Sequence, residues 1–235
     1  MDIKQYKFFF LLISLYAFTA TAQNPQSPTD WANLGKYSTE NKKLMPLTKH
    51  EKRIVFMGNS ITESWQYADD FFSTNGYINR GISGQTTPQM LVRFRPDVIE
   101  LQPSVVVIMA GINDIAENTG PIALEDVFGN IVSMTELAHA HHIKVVLSSV
   151  LPAIDFDWRP GLHPAEKIIK LNAMIQSYCA TNHIVYLDYY SKMVDENKEM
   201  DKRFTADGVH PNLEGYKVME PLVMEGIKRA LKQKK

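Results

Sequence analysis

Apolar residues along this chain fall into two kinds of run. Short, nearly unbroken stretches occur at Arg53–Met57 (RIVFM), Tyr77–Asn79, Ser104–Ala110 (SVVVIMA), Lys144–Ser149 (KVVLSS) and Ile184–Asp188 (IVYLD). Four of these five are rich in β-branched residues, and Gly, Asn, Pro or Asp bounds them, which predicts five buried strands. Hydrophobicity that is continuous rather than alternating implies strands covered on both faces, as in a parallel sheet. Between the strands the spacing predicts helices over Thr62–Phe72, Thr87–Ile99, Pro121–His141, His163–Thr181 and Asn212–Leu231. In the fourth, Ile168, Leu171, Ile175 and Tyr178 recur every three or four residues and form one apolar stripe. Alternating strands and helices with short connections predict one α/β domain of three layers, α/β/α, around a central five-stranded parallel sheet.

The first residues follow a different pattern. Lys4 and Lys7 precede the apolar run Phe8–Phe18, broken only by Ser14, and Ala20-Thr21-Ala22 then supplies small residues at the −3 and −1 positions. That order reads as a secretory signal peptide over 1–22, cleaved before Gln23, and the run is too short to span a membrane. No Cys follows the cleavage point, so no lipid anchor is expected. Residues 23–50 read as a polar leader in which Asp30 or Asn33 could cap a short helix, and 51–235 as the folded domain.

Composition narrows the function classes. The 235 residues are 45% hydrophobic and 22% charged, with a formal net charge of −1. Such a balance gives no basic surface for nucleic acid or anionic lipid and no acidic tail. A single Cys cannot form an intramolecular disulfide, and with seven scattered His it does not make a zinc module. The cluster His139, His141 and His142 falls at a predicted helix C-terminus, where His suits the dipole better than a metal. Cys179 reads as a small buried side chain rather than a nucleophile.

Parallel sheets place chemistry at the carboxyl ends of their strands, so the residues just after each strand matter most. After the first comes Gly58-Asn59-Ser60-Ile61-Thr62, which can present a hydroxyl at a helix N-terminus, although Ser60 could equally be a helix cap. After the second comes Gly81-Ile82-Ser83-Gly84-Gln85, whose glycines free backbone N–H groups for close approach. The third strand leads into Gly111-Ile112-Asn113-Asp114, where Asn113 can aim an amide at the crevice or merely shape a turn. Near the end, Asp207 and His210 stand three apart, so that a carboxylate can orient an imidazole. Each signal is weak alone. Together they supply a nucleophile, a base, an orienting acid and convergent donors in strand order. The loop Leu151–Leu162 adds Trp158 and Arg159 at the same face, as candidate substrate contacts or as ordinary surface residues.

Gly58-Asn59-Ser60, Gly84, Asn113 and Asp207-x-x-His210 resemble the four blocks of the SGNH hydrolases, also called GDSL esterases and lipases. The resemblance covers the chain from about Arg53 to the last helix. It is nearest to the branch of platelet-activating-factor acetylhydrolase catalytic subunits and secreted bacterial acylhydrolases. It implies a flavodoxin-like fold, with Ser60 as nucleophile, His210 as base and Asp207 as its partner. It further implies an oxyanion hole from the Ser60 and Gly84 N–H groups and the Asn113 amide, and no metal or organic cofactor. The first block departs from the family pattern: Gly-Asn-Ser-Ile stands where Gly-Asp-Ser-Leu is usual, so hydrogen bonding around Asn59 is expected to differ.

The expectation is an exported serine esterase that removes a short acyl group, acetyl by analogy, from a small ester or an acetylated glycan. A lysophospholipase or acyl-thioesterase would use the same residues but would need an apolar channel. A carbohydrate-binding module on the same fold would not need Ser60, Asp207 and His210 together. Neither G-x-S-x-G, G-x-G-x-x-G nor a P-loop occurs.

Overall fold

The computed structural model describes residues 30–48 and 51–233; the expected signal peptide and its cleavage point lie outside the described residues. Five strands, β1 (Ile54–Gly58), β2 (Ile78–Gly81), β3 (Val105–Ile108), β4 (Lys144–Ser148) and β5 (Val185–Leu187), form one all-parallel sheet in the order β2-β1-β3-β4-β5. This is the flavodoxin-like order, whose connections reverse direction between β1 and β3 and open a crevice there. Every side chain of β1 and β3 is buried, as expected for strands covered on both faces.

The helices are α1 (Ser38–Lys43), α2 (Ser60–Ala68), α3 (Phe71–Asn75), α4 (Thr87–Asp97), α5 (Ile112–Ile115), α6 (Leu124–Ala140), α7 (Ala165–Thr181), α8 (Tyr190–Met193) and α9 (Leu213–Lys232). Helices α2 and α9 pack on one face of the sheet, and α4, α6 and α7 on the other. The predicted three layers are therefore present.

Several boundaries differ from expectation. The helix expected over Thr62–Phe72 starts two residues earlier and breaks after Ala68, because the Asp69 carboxylate accepts the Phe71 N–H (2.9 Å) and starts α3. The helix expected from Pro121 begins at Leu124. Neither Asp30 nor Asn33 caps a helix. Asp30 accepts the N–H groups of Leu34 (2.6 Å) and Gly35 (3.0 Å) in a run of turns, and α1 starts only at Ser38. The Gly-Ile-Asn-Asp segment, expected as a turn, is the short helix α5, entered through Gly111 at φ +119°. The short helix α8 was not expected at all.

Aromatic contacts of Trp65 fix the helix that carries Ser60. Trp65 of α2 stacks on Phe71 (5.2 Å) and on Tyr216 of α9 (5.3 Å), with Phe56 edge-on beneath. The Tyr216 hydroxyl donates to the Ile61 carbonyl (2.9 Å). Each such buried aromatic contributes about 2–3 kcal/mol of transfer free energy, and together they tie the start of α9 to the start of α2.

Candidate active site

Ser60 is the first residue of α2. Asn59 occupies the cap position instead, its side-chain oxygen accepting the Ile61 N–H (3.0 Å). Asn59 therefore supplies an acceptor of the kind an Asp would offer, and Ser60 is left free of the capping role. The turn is tight: a Cβ on Gly58 would come within 2.0 Å of the Thr62 hydroxyl. Only glycine fits where the strand passes under the helix.

The Ser60 hydroxyl lies 2.9 Å from His210 Nε2, and His210 Nδ1 lies 2.7 Å from an Asp207 carboxylate oxygen. Asp207 is pinned in turn, because its other oxygen accepts the N–H groups of His210 (2.7 Å) and Val209 (2.9 Å). Thr205 closes the loop by donating to the His210 carbonyl (2.8 Å) while accepting the Gly208 N–H (3.0 Å). Burial alone would push the Asp207 carboxyl up, but the bonds from His210 and Val209 outweigh it and hold the group below its usual range. Asp207 thus stays ionised beside the imidazole. That fixes Nδ1 as the protonated nitrogen and leaves Nε2 to accept from Ser60.

Gly84 and Asn113 stand across from this chain. Gly84 adopts φ +77°, a left-handed conformation that glycine tolerates best, and a Cβ there would meet nothing within 4 Å. Among the described residues, neither the Ser60 nor the Gly84 N–H donates to a protein acceptor. The Asn113 amide is buried and gives one N–H to the Gln85 carbonyl (3.0 Å), which orients the group. Asp114 beside it accepts both the N–H and the hydroxyl of Thr87 (2.6–3.0 Å), joining α5 to the N-terminus of α4. Burial pushes its carboxyl up to about 6 in spite of those bonds.

Ser60, Gly84, Asn113 and His210 line one cleft of about 1090 Å³, together with Trp158 and Arg159. Trp158 donates from its indole to Asn118 (3.1 Å), with its ring 6.2 Å from the His210 ring. Arg159 reaches the Glu117 carbonyl and lies 3.6 Å from the Glu117 carboxylate. All the residues singled out on the strand-end face thus meet in one place. Cys179 is a buried residue of α7, its thiol pushed up to about 12 by desolvation, and lies outside the lining.

Sequence reasoning missed Asn33, Lys36, Glu63 and Asn118, which also line the cleft. Glu63 carried one signal, its position a single helical turn beyond Ser60. Lys36 and Asn33 carried none. Their segment lies outside the βα pattern and reaches the cleft only through tertiary folding.

The model of the GDSL-like lipase/acylhydrolase family matches residues 56–218, and the chain belongs to that family. Among solved structures it is similar to a GDSL-like lipase from Bacteroides thetaiotaomicron VPI-5482. That match has 54% identity and TM-score 0.83, covering 85% of this chain and 98% of that one. A structure from Bacteroides fragilis NCTC 9343, described as an acylhydrolase, matches at 55% identity and TM-score 0.84, covering 86% and 99%. The rat platelet-activating factor acetylhydrolase IB subunit alpha2 is 28% identical over 121 residues, 49% of this chain. The chain spans about half the length of that curated relative, and a third of another.

Proposed function

We propose that the protein is an exported serine esterase that removes a short acyl group from an oxygen ester of a polar alcohol such as an acetylated glycan. The observation that carries the reading is the unbroken chain from the Ser60 hydroxyl through His210 to Asp207, at 2.9 and 2.7 Å. In the mechanism, Ser60 Oγ attacks the ester carbonyl while His210 Nε2 takes its proton. The carbonyl oxygen, now an anion, receives the N–H groups of Ser60 and Gly84 and the Asn113 amide. Collapse expels the alcohol, protonated by His210, and leaves an acyl-serine that water releases by the same roles in reverse.

The character of the cleft supports a polar alcohol. Its walls carry Asn33, Lys36, Glu63, Ser64, Ser83, Asn118, Thr119 and Arg159, while Ile82 and Trp158 are its large apolar members. Such a surface suits hydroxyl-bearing rings and a methyl-sized acyl group better than a fatty chain, which would strip those polar groups of water. The half-exposed Trp158 offers a flat ring face beside His210.

A p-nitrophenyl ester series from acetate to palmitate, run with acetylated xylan and a serine-directed organophosphonate, tests this. Phosphonylation at Ser60 and a preference for acetate are expected, and Ser60→Ala is expected to lose at least about 10⁴-fold in kcat while folding normally. A tenth of wild-type activity in that variant overturns the assignment. Export is tested separately: mass spectrometry of the secreted protein is expected to find Gln23 first, and an intact Met1 on it contradicts export.

A further inference from the structure

The segment Asp30–Tyr37 lies ahead of the residues that match the family, yet it grips the stretch around Gly84 at three points. The Tyr37 hydroxyl donates to the Gly81 carbonyl. The Ala32 carbonyl accepts from the buried Gln85 side chain (2.7 Å), and the Trp31 carbonyl from Gln89 (2.8 Å). Between these anchors, the Lys36 ammonium is bonded to the Glu63 carboxylate, whose other oxygen accepts both the N–H (2.7 Å) and the hydroxyl (2.6 Å) of Ser83. Glu63 also belongs to the helix of Ser60, its own N–H bonded to the Asn59 carbonyl (2.9 Å). The bonds from Lys36 and Ser83 hold the Glu63 carboxyl below its usual range, against the burial that pushes it up. The gripping segment has a fixed shape of its own: Asp30 closes its turn, and Ala32 and Tyr37 are buried.

The loop needs such a grip. Ser83 and Gly84 are exposed, and a left-handed glycine has many conformations open to it. A donor stabilises a developing oxyanion only if it is aimed before the charge appears.

We propose that Asp30–Tyr37 is a positioning element of the esterase site, with Lys36 acting through Glu63 and Ser83 to aim the Gly84 N–H at the oxyanion. This rests on the esterase reading above. The signal cleavage expected after Ala22 would leave the segment intact.

The test uses the processed full-length chain, p-nitrophenyl acetate as substrate and methaneboronic acid as a probe that forms an anionic tetrahedral adduct on serine. Lys36→Ala is expected to lower kcat about 10- to 100-fold, less than the full loss of a donor, with KM unchanged. The boronic acid is expected to bind more weakly by the same factor, and Lys36→Arg to restore most of both. The melting temperature is expected to move little, because a part-exposed ion pair contributes little to stability.

Wild-type kcat and boronate affinity in Lys36→Ala overturn the inference. So does a loss confined to KM, which would make Lys36 a substrate contact instead. Should Lys36→Ala not fold, Ser83→Ala is to show the same parallel loss on a smaller scale, and unchanged values there overturn it equally. A wild-type protein that neither hydrolyses esters nor is phosphonylated at Ser60 overturns both this inference and the esterase reading. Phosphonylated wild type with an unaffected Lys36→Ala overturns this one alone.

Discussion

Apart from the bond to Ser60, the hydrogen bonds that orient Asp207 and His210 span at most five positions, from Thr205 to His210. Among those that orient Asn113 and the Gly84 loop are bonds that span 27 positions (Asp114 to Thr87), 28 (Asn113 to Gln85), 35 (Arg93 to Gly58) and 53 (Gln85 to Ala32). Exposure differs in the same sense. The side chains of Asp207 and His210 keep 43% and 34% of their accessible surface, while Asn113, Gln85, Arg93 and Asp114 keep 3% or less. The proposed base half of the site is a local turn laid on the surface. The proposed oxyanion half is built into the crossing of α4, α5 and β1, with the Arg93 guanidinium at its centre. Arg93 donates to Gly58, Gln85 and Asp97 at once. Chemistry and stability should therefore separate cleanly in the first half and move together in the second.

The largest expected effect tests that separation on the surface side. Asp207→Asn keeps an oxygen for the Val209 and His210 N–H groups but offers an amide to Nδ1, which favours the wrong tautomer. We expect kcat to fall by about 10³–10⁴-fold with the melting temperature nearly unchanged. A marked drop in melting temperature with kcat preserved would reverse the comparison.

On the buried side, Asn113→Ala removes the proposed donor to the oxyanion and orphans the Gln85 carbonyl. The expected loss is about 10²–10³-fold in kcat with KM little changed. Unlike the change at Asp207, it should also cost roughly 1–3 kcal/mol of stability for the unpaired buried acceptor. Paired kinetics and thermal melts check both halves of this expectation. A stability loss without a kinetic one would leave Asn113 as a turn-shaping residue and the backbone donors of Ser60 and Gly84 as the whole hole.

Asp114 makes the coupling readable through pH. Its carboxyl is raised to about 6 in the folded protein, above the ordinary 3.8 that applies when unfolded. The folded state then holds the proton more tightly, so its relative stability is greatest below about pH 4 and declines as pH rises through about 6. A shift of that size corresponds to about 3 kcal/mol across the window. Comparing denaturant midpoints of wild type and Asp114→Asn from pH 4 to 7 isolates the group. We expect the wild type to lose stability relative to the variant over that range. Parallel curves would mean that the Thr87 bonds compensate for burial more fully than the raised value implies.

The same contrast explains what could be read without a structure. Strand runs and the residues that follow them are local signals, so the parallel sheet and the strand-end positions of Ser60, Gly84 and Asn113 were legible, while Asp207 and His210 were marked by their own three-residue spacing. The β2 strand shows where locality fails. It runs on through Arg80, a residue that looks wrong for a buried strand. Its guanidinium is accommodated by two bonds to Asn41 and by the Tyr37 ring 4.5 Å away, both from the segment that reads as a polar leader with a short helix. Arg93 was hidden likewise, since a charged residue in a helix normally faces water. Four-residue helices such as α5 carry too little periodicity to be distinguished from turns.

The smallest expected effect concerns the rim where the two halves face each other. Trp158 touches both: its ring lies 6.2 Å from His210, and its indole N–H bonds to Asn118, which in turn donates to the Gly84 carbonyl (3.2 Å). If the ring is a platform for the alcohol, truncation removes contact area without touching the reacting atoms. A sugar face covering on the order of 50 Å² of ring would be worth roughly 1–1.5 kcal/mol. Trp158→Ala should then raise KM for acetylated xylan by about 5- to 10-fold, leave kcat alone, and leave ethyl acetate unaffected because it has no ring to stack. If the indole instead props the Gly84 loop through Asn118, kcat should fall for both substrates alike, and Trp158→Phe, which keeps a ring but has no N–H, should fall with it. The platform reading requires Trp158→Phe to retain most of the affinity for the glycan ester. A loss of kcat on ethyl acetate in both variants would move Trp158 from the substrate side of the cleft to the oxyanion side.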